Sequence, residues 1–181
     1  KGELDPMPDC AIFADTGYEP QGVYDHLEWL EKQLPFPTYR VSSGNIKSDI
    51  QKGVNTTGTR FVAMPFFTRE GGMGMRQCTN EYKIVPLKKK TRELLGLKPR
   101  QRAKDEVSET WLGISWDEMQ RMKESRDKFI YHRFPLIEKQ MRRHHCMTWF
   151  EEHYPGRSLA KSACIACPFH SNDLWRDMKI N

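Results

Sequence analysis

Cys164 and Cys167 are separated by two residues in the stretch Ser162-Ala163-Cys164-Ile165-Ala166-Cys167-Pro168-Phe169-His170. Thiolates at this spacing can share one metal ion or iron–sulfur cluster, because the intervening turn brings the sulfurs together and aims backbone N–H groups at them. Cys78 and Cys146 lie upstream and bring the candidate ligands to four. Four thiolates suit a four-iron four-sulfur (4Fe-4S) cluster or tetrahedral zinc, and spacing does not separate the two. Cys146 reads equally well as a core cysteine on a helix face, so His170 stands as the reserve ligand. The plainer alternative for Cys164 and Cys167 is a pair of reduced thiols in a loop. Cys10 opens an apolar run, where a thiol behaves as a small hydrophobe, and is left outside the set.

A second group of residues suits an anionic ligand. Asp15-Thr16-Gly17 follows the short apolar run Cys10-Ala11-Ile12-Phe13-Ala14, which fits a strand buried on both faces of a parallel sheet. Ligands of open α/β sheets bind beyond the carboxyl ends of strands, so these residues are expected to line a site. The alternative is a simple turn with a helix cap.

These residues need elements to hold them. Glu19-Pro20 opens an expected helix with Val23, Leu27, Leu30 and Leu34 on one stripe, stopped by Pro35 and Pro37. Thr38 to Ser42 reads as a second strand, and Asn45 to Lys52 as a short helix. Residues 54–77, with glycines around the apolar patch from Phe61 to Phe67, suit a hairpin or lid. A helix is expected from Thr79 to Leu95, stopped by Gly96. Lys88-Lys89-Lys90 on it reads as a solvated face, and Lys98-Pro99-Arg100-Gln101-Arg102 as a basic linker. Thr110 to Ser115 is a further strand candidate whose small residues, Gly113 and Ser115, would admit a ligand to the backbone. A helix with Arg121 and an irregular stretch with Ser125 and Arg126 follow. The last expected helix, from Glu138 to His153, places Cys146, Trp149, Phe150 and His153 on one face. Alternating strands and helices predict an α/β fold, a parallel sheet flanked by helices.

Composition bounds the class. The chain has 181 residues, 38% hydrophobic and 29% charged, which suits one globular domain. Residues 1–137 are expected to form its α/β body, and 138–181 a helix and cysteine-bearing segment of the same domain. No apolar run approaches a membrane span. Five cysteines, an odd number, argue against a complete disulfide framework and for a reducing, cytoplasmic setting. The net charge of +5 favours anionic partners such as nucleotides or nucleic acid.

With these residues assembled, the chain resembles the phosphoadenosine phosphosulfate (PAPS) reductase-like family of the adenine-nucleotide alpha-hydrolase, or PP-loop ATP pyrophosphatase, superfamily. Within it, the chain is most similar to the short reductase-like proteins of phages and prophages. Asp15-Thr16-Gly17-Tyr18 resembles the family's motif after its second strand. Arg76-Gln77-Cys78-Thr79-Asn80-Glu81-Tyr82-Lys83-Ile84-Val85-Pro86-Leu87 resembles its cysteine, Arg-Lys and Pro-Leu motif. Gly113-Ile114-Ser115, with Arg121 and Ser125-Arg126 downstream, resembles its Gly-Leu/Ile-Arg segment, and Cys164 and Cys167 stand in the place of its late cluster-binding pair.

The resemblance implies a Rossmann-like fold and a nucleotide site. Its contacts would be Asp15, Thr16, Gly17, Tyr18, Arg76, Lys83, Gly113, Ser115 and Arg126. Lys83, Arg76 and Arg126 would neutralise phosphate or sulfate charge, and Asp15 would hold a ribose hydroxyl or magnesium. The implied metal ligands are Cys78, Cys146, Cys164 and Cys167. Three departures accompany the resemblance. The family's phosphate-binding loop is expected before Lys1, so the chain reads as truncated. The C-terminal cysteine motif of the reductases has no counterpart in Asp177-Met178-Lys179-Ile180-Asn181, and a tandem cysteine pair is reduced to Cys78. The expected function is therefore action on ATP or an adenylylated sulfonucleotide, in sulfur transfer or nucleotide or nucleic-acid modification, with a sulfur donor or acceptor protein as a further partner. The alternative is a non-catalytic four-cysteine module that binds nucleic acid.

Overall fold

The computed structural model describes residues 4–105, 107–159 and 162–180. Lys1 to Glu3, part of the start read as truncated, and the final Asn181 lie outside the described residues. In chain order the elements are β1 (Ala11–Ala14), α1 (Gln21–Gln33), β2 (Thr38–Val41), α2 (Ile46–Lys52), a π-helical segment (Thr79–Ile84) running into α3 (Val85–Leu94), β3 (Ser108–Trp111), a 3-10 helix (Trp116–Arg121), β4 (Ile130–Arg133), α4 (Pro135–Glu138), α5 (Arg143–His153) and α6 (Asn172–Ile180). The fold is thus mixed helix and strand. Among the described residues the sheets are two parallel pairs, β1 with β2 and β3 with β4, each in register over four residue pairs. No helix among the described residues is long and apolar enough to cross a membrane.

The contacts divide the chain into two compact units. One comprises Pro8–Lys90 with the C-terminal segment beyond Leu159, and is called here the cysteine-bearing unit. The other comprises Thr91–Leu159 with the N-terminal residues up to Met7. The 137/138 boundary expected from the sequence falls inside α4 of the second unit.

In the cysteine-bearing unit, Val23 and Leu27 of the expected α1 stripe are buried. The residues of β1 are half-buried rather than fully covered on both faces. A core cluster of Ile46, Ala63, Met64 and Tyr82 forms in this unit, with Tyr18, Ile50 and Cys78 packed against it. The loop before the π-helical segment feeds it: Ala63 O accepts from Gln77 N and Cys78 N, each at 2.9 Å. The tip of that loop is a hairpin with Phe67 facing Met73 in antiparallel pairing, as the sequence suggested.

The expected helix from Thr79 to Leu95 is wider at its start than foreseen. Pro86 has no N–H for the carbonyl of Tyr82, and its ring crowds that carbonyl, which a regular α-helix cannot absorb. A π-helical segment at Thr79–Ile84 loosens the chain immediately upstream, with Val85 N donating to Asn80 O.

The second unit departs further from expectation. β3 starts earlier than the predicted strand and ends at Trp111, and its partner β4 lies in a stretch read as irregular. The helix expected from Glu138 to His153 is broken: Pro135 opens α4, Gln140 adopts a positive φ of 51°, and α5 begins only at Arg143. Arg133 ties the unit together. It pairs with Glu138 and Glu109, donates to Asp5 O at 2.9 Å, and lies 4.8 Å over the Trp111 ring.

Candidate functional site

The site is built at the end of β1, where the chain must turn sharply. Asp15 N continues the ladder to Val41 O at 2.8 Å, and the Asp15 carboxylate then accepts from Gly17 N at 2.7 Å. Gly17 has φ of 70°, and a Cβ there would stand 2.6 Å from Asn45 Nδ2. Only glycine fits that close approach. Asn45 caps α2 by accepting from Ser48 N, and its amide donates to Gly17 O at 3.2 Å. Ile46 N donates to Thr16 O at 2.9 Å, so the turn and the start of α2 are fixed to each other.

Below this turn lies a buried charge. The Glu19 side chain is 1% exposed, and one of its oxygens accepts from the Thr16 hydroxyl at 3.2 Å and from Lys83 Nζ at 3.3 Å. Its other oxygen is buried without a hydrogen-bond partner among the described residues. Tyr24 braces the turn: its hydroxyl donates to the Asp15 carboxylate at 2.9 Å and accepts from the Glu19 backbone N–H at 3.5 Å. Burial, reinforced by the hydrogen bond to Asp15, raises the Tyr24 pKa. Lys83 projects from the π-helical segment, a helix form frequent at functional sites. Tyr82 beside it is 1% exposed, and its hydroxyl donates to Asp49 at 2.5 Å. Burial and that bond push the Tyr82 phenol far above its ordinary range.

The CxxC stretch packs onto the same turn. Ile165 N donates to Tyr18 O, Cys167 N closes a turn on Cys164 O, and His170 contacts Cys164 O at 2.8 Å. Tyr18, Cys78, Cys164 and Ala166 all pack against the Tyr82 cluster. The Arg76 guanidinium lies 5.1 Å from the centre of the Phe169 ring. Burial pushes the Cys164 thiol up to about 11, with the Glu19 carboxylate and the sulfurs of Cys167 and Cys78 adding to the effect. The segments around Asp15, Lys83 and Cys164, distant in sequence, therefore meet within one unit.

The other expected residues belong to the second unit. Gly113 is exposed, Ser115 is buried beside Asp117, and Arg126 is exposed next to the Ser125–Asp127 turn. Arg121 pairs with Glu118. Cys146 is half-buried on α5, and burial, with Asp117 nearby, raises its thiol pKa. On that helix Phe150 is buried, while Trp149 and His153 are exposed and stacked at 4.2 Å.

Thiol sulfurs suit thiophilic metals, yet their arrangement decides whether one is held. Among the described residues, no three His, Cys, Asp or Glu side chains form a group that could hold a metal ion.

Sequence reasoning passed over Glu19 as the residue before a helix-opening proline. Its signal was its place directly after Asp15-Thr16-Gly17-Tyr18, an acid at the mouth of an expected anion site. No protein-family model matches the chain, and neither curated proteins nor solved structures yield a match.

Proposed function

We propose that the cysteine-bearing unit binds an adenine nucleotide or an adenylylated sulfonucleotide through its phosphate or sulfate groups, at the turn that ends β1. The observation that carries this reading is the meeting of Asp15–Tyr18, Arg76–Lys83 and Cys164–His170 around one buried core. Arg76 is exposed and Lys83 half-exposed, so both cations can reach an incoming anion. The Asp15 carboxylate is oriented by Gly17 N and the Tyr24 hydroxyl, which suits it to accept from a ribose hydroxyl. Charge-assisted contacts of this kind align a phosphate or sulfate and lower the cost of charge developing on it. The chemistry served is transfer at the phosphorus or sulfur, in sulfur transfer or nucleotide modification. These contacts do not depend on a metal at the cysteines, nor on Gly113, Ser115 or Arg126.

Calorimetric titration of ATP into the full chain tests this reading. Lys83→Ala and Arg76→Ala are each expected to weaken binding by about 1–3 kcal/mol, the scale of a charge-assisted hydrogen bond. Equal affinity in both variants and the unmodified chain would reject it.

A further inference from the structure

We propose that Glu19 makes Lys83 a gated anion contact, so that a phosphate group is held only by drawing the ammonium off a buried carboxylate. The inference rests on the nucleotide reading above and adds the selection that such a site exerts. Glu19 and Lys83 are unequally placed. The carboxylate is 1% exposed and the ammonium-bearing side chain 36% exposed, so Lys83 faces Glu19 on one side and water on the other. One carboxylate oxygen serves both Thr16 and Lys83, while the other has no hydrogen-bond partner among the described residues. A buried carboxylate satisfied on one side only depends on its cation, because an unpaired charge in a poorly solvated place is costly. Lys83 is therefore held firmly until a stronger anion arrives. Among the described residues Lys83 is the cation paired with Glu19, while the Thr16 hydroxyl adds a single neutral donor. A doubly charged terminal phosphate exceeds a lone carboxylate as a partner for an ammonium, whereas a singly charged ion does not. The site would thus select dianionic phosphate over the monoanions that surround it in greater number. Glu19 acts through Lys83 in this account and is a positioning residue.

The test is calorimetric titration of inorganic pyrophosphate into the full chain, its Glu19→Gln and Lys83→Met variants, and the double variant. Glu19→Gln keeps the shape of the side chain and removes the competing charge, so pyrophosphate should bind roughly threefold to tenfold more tightly. That gain should vanish in the Lys83→Met background, an outcome that a merely structural role for Glu19 would not produce. Thermal melts verify the fold, and if Glu19→Gln is not folded, Glu19→Asp withdraws the carboxylate by one methylene and should tighten binding in the same direction. Unchanged or weaker binding on loss of Glu19 overturns the proposal, as does a gain that persists without Lys83. Pyrophosphate bound equally well with and without Glu19 removes the gate and leaves the nucleotide reading standing. No binding by the unmodified chain or any variant removes both.

Discussion

The two units use the same short parallel strand pair and bury very different things around it. The cysteine-bearing unit encloses Val23, Leu27, Ile46, Val62, Ala63, Met64 and Tyr82, together with the polar Thr16, Glu19 and Asn55. In the other unit the buried hydrophobics are Leu97 and Phe150, and its cohesion comes from partly exposed pairs centred on Arg133. A sheet of two strands supplies little core by itself. What distinguishes the first unit is the loop from Val54 to Gln77, which contributes Ala63 and Met64 to the core cluster with Ile46 and Tyr82. Glu138 in the second unit is held below the usual carboxylate range by Arg133, but it remains at the surface. Burial, rather than the count of charged residues, separates a candidate site from a structural ion pair.

The sharpest way to break this contrast is at the two aromatic anchors. Tyr82→Ala empties the centre of the cluster and strands Asp49, and should cost about 3–5 kcal/mol in urea unfolding. Phe150→Ala should cost less, since Phe150 rests against Tyr154 at 5.3 Å between ring centres and is not part of that cluster. Equal losses would show that the second unit has a core of similar worth.

A pair of glycines sharpens the same comparison. Gly17 and Gly156 share a positive φ, but a Cβ at Gly156 meets nothing within 4 Å. Gly156→Ala should cost about 1 kcal/mol for the backbone alone. Gly17→Ala should cost about 2–3 kcal/mol, because Asn45 must also move. Thermal melts of both variants check the difference.

The pH response follows from Cys164. Its thiol pKa is raised by burial from 9.0 to about 11, so the unfolded chain loses that proton first as pH rises. Stability should be unaffected by this group below pH 9 and fall as pH passes from 9 to about 11. Cys164→Ala should flatten that decline, and alkylation of Cys164 followed by mass spectrometry should accelerate over the same interval. The smallest effect is expected at Arg121 and Glu118, an exposed pair three residues apart whose removal should change stability by about 0–1 kcal/mol.

Much of the first unit was legible in the sequence, because its signals are local. The apolar run before Asp15 pointed to β1, the stripe of Val23, Leu27 and Leu30 to α1, and the stretch from Asn45 to Lys52 to α2, which the structure shows capped by Asn45. The π-helical segment was not legible, since it arises from a proline acting on the turn before it. β4 hid in an aromatic stretch, Phe129 to Arg133, whose pairing with β3 is decided by tertiary contacts. α6 was passed over although Ser171 caps it, with Leu174 N donating to its hydroxyl at 3.3 Å. The site was legible as motifs, but not the buried Glu19 that links two of them. A side chain's burial depends on what packs around it, and the neighbours of Glu19 include Lys83 and Cys164, which come from two segments distant in sequence.

The most direct measurement is amide hydrogen exchange with and without saturating ATP. The account predicts added protection in three places together, around Asp15–Glu19, Arg76–Lys83 and Cys164–His170, with Thr91–Leu159 unchanged. Protection confined to Thr91–Leu159, or none in the three segments, would contradict it.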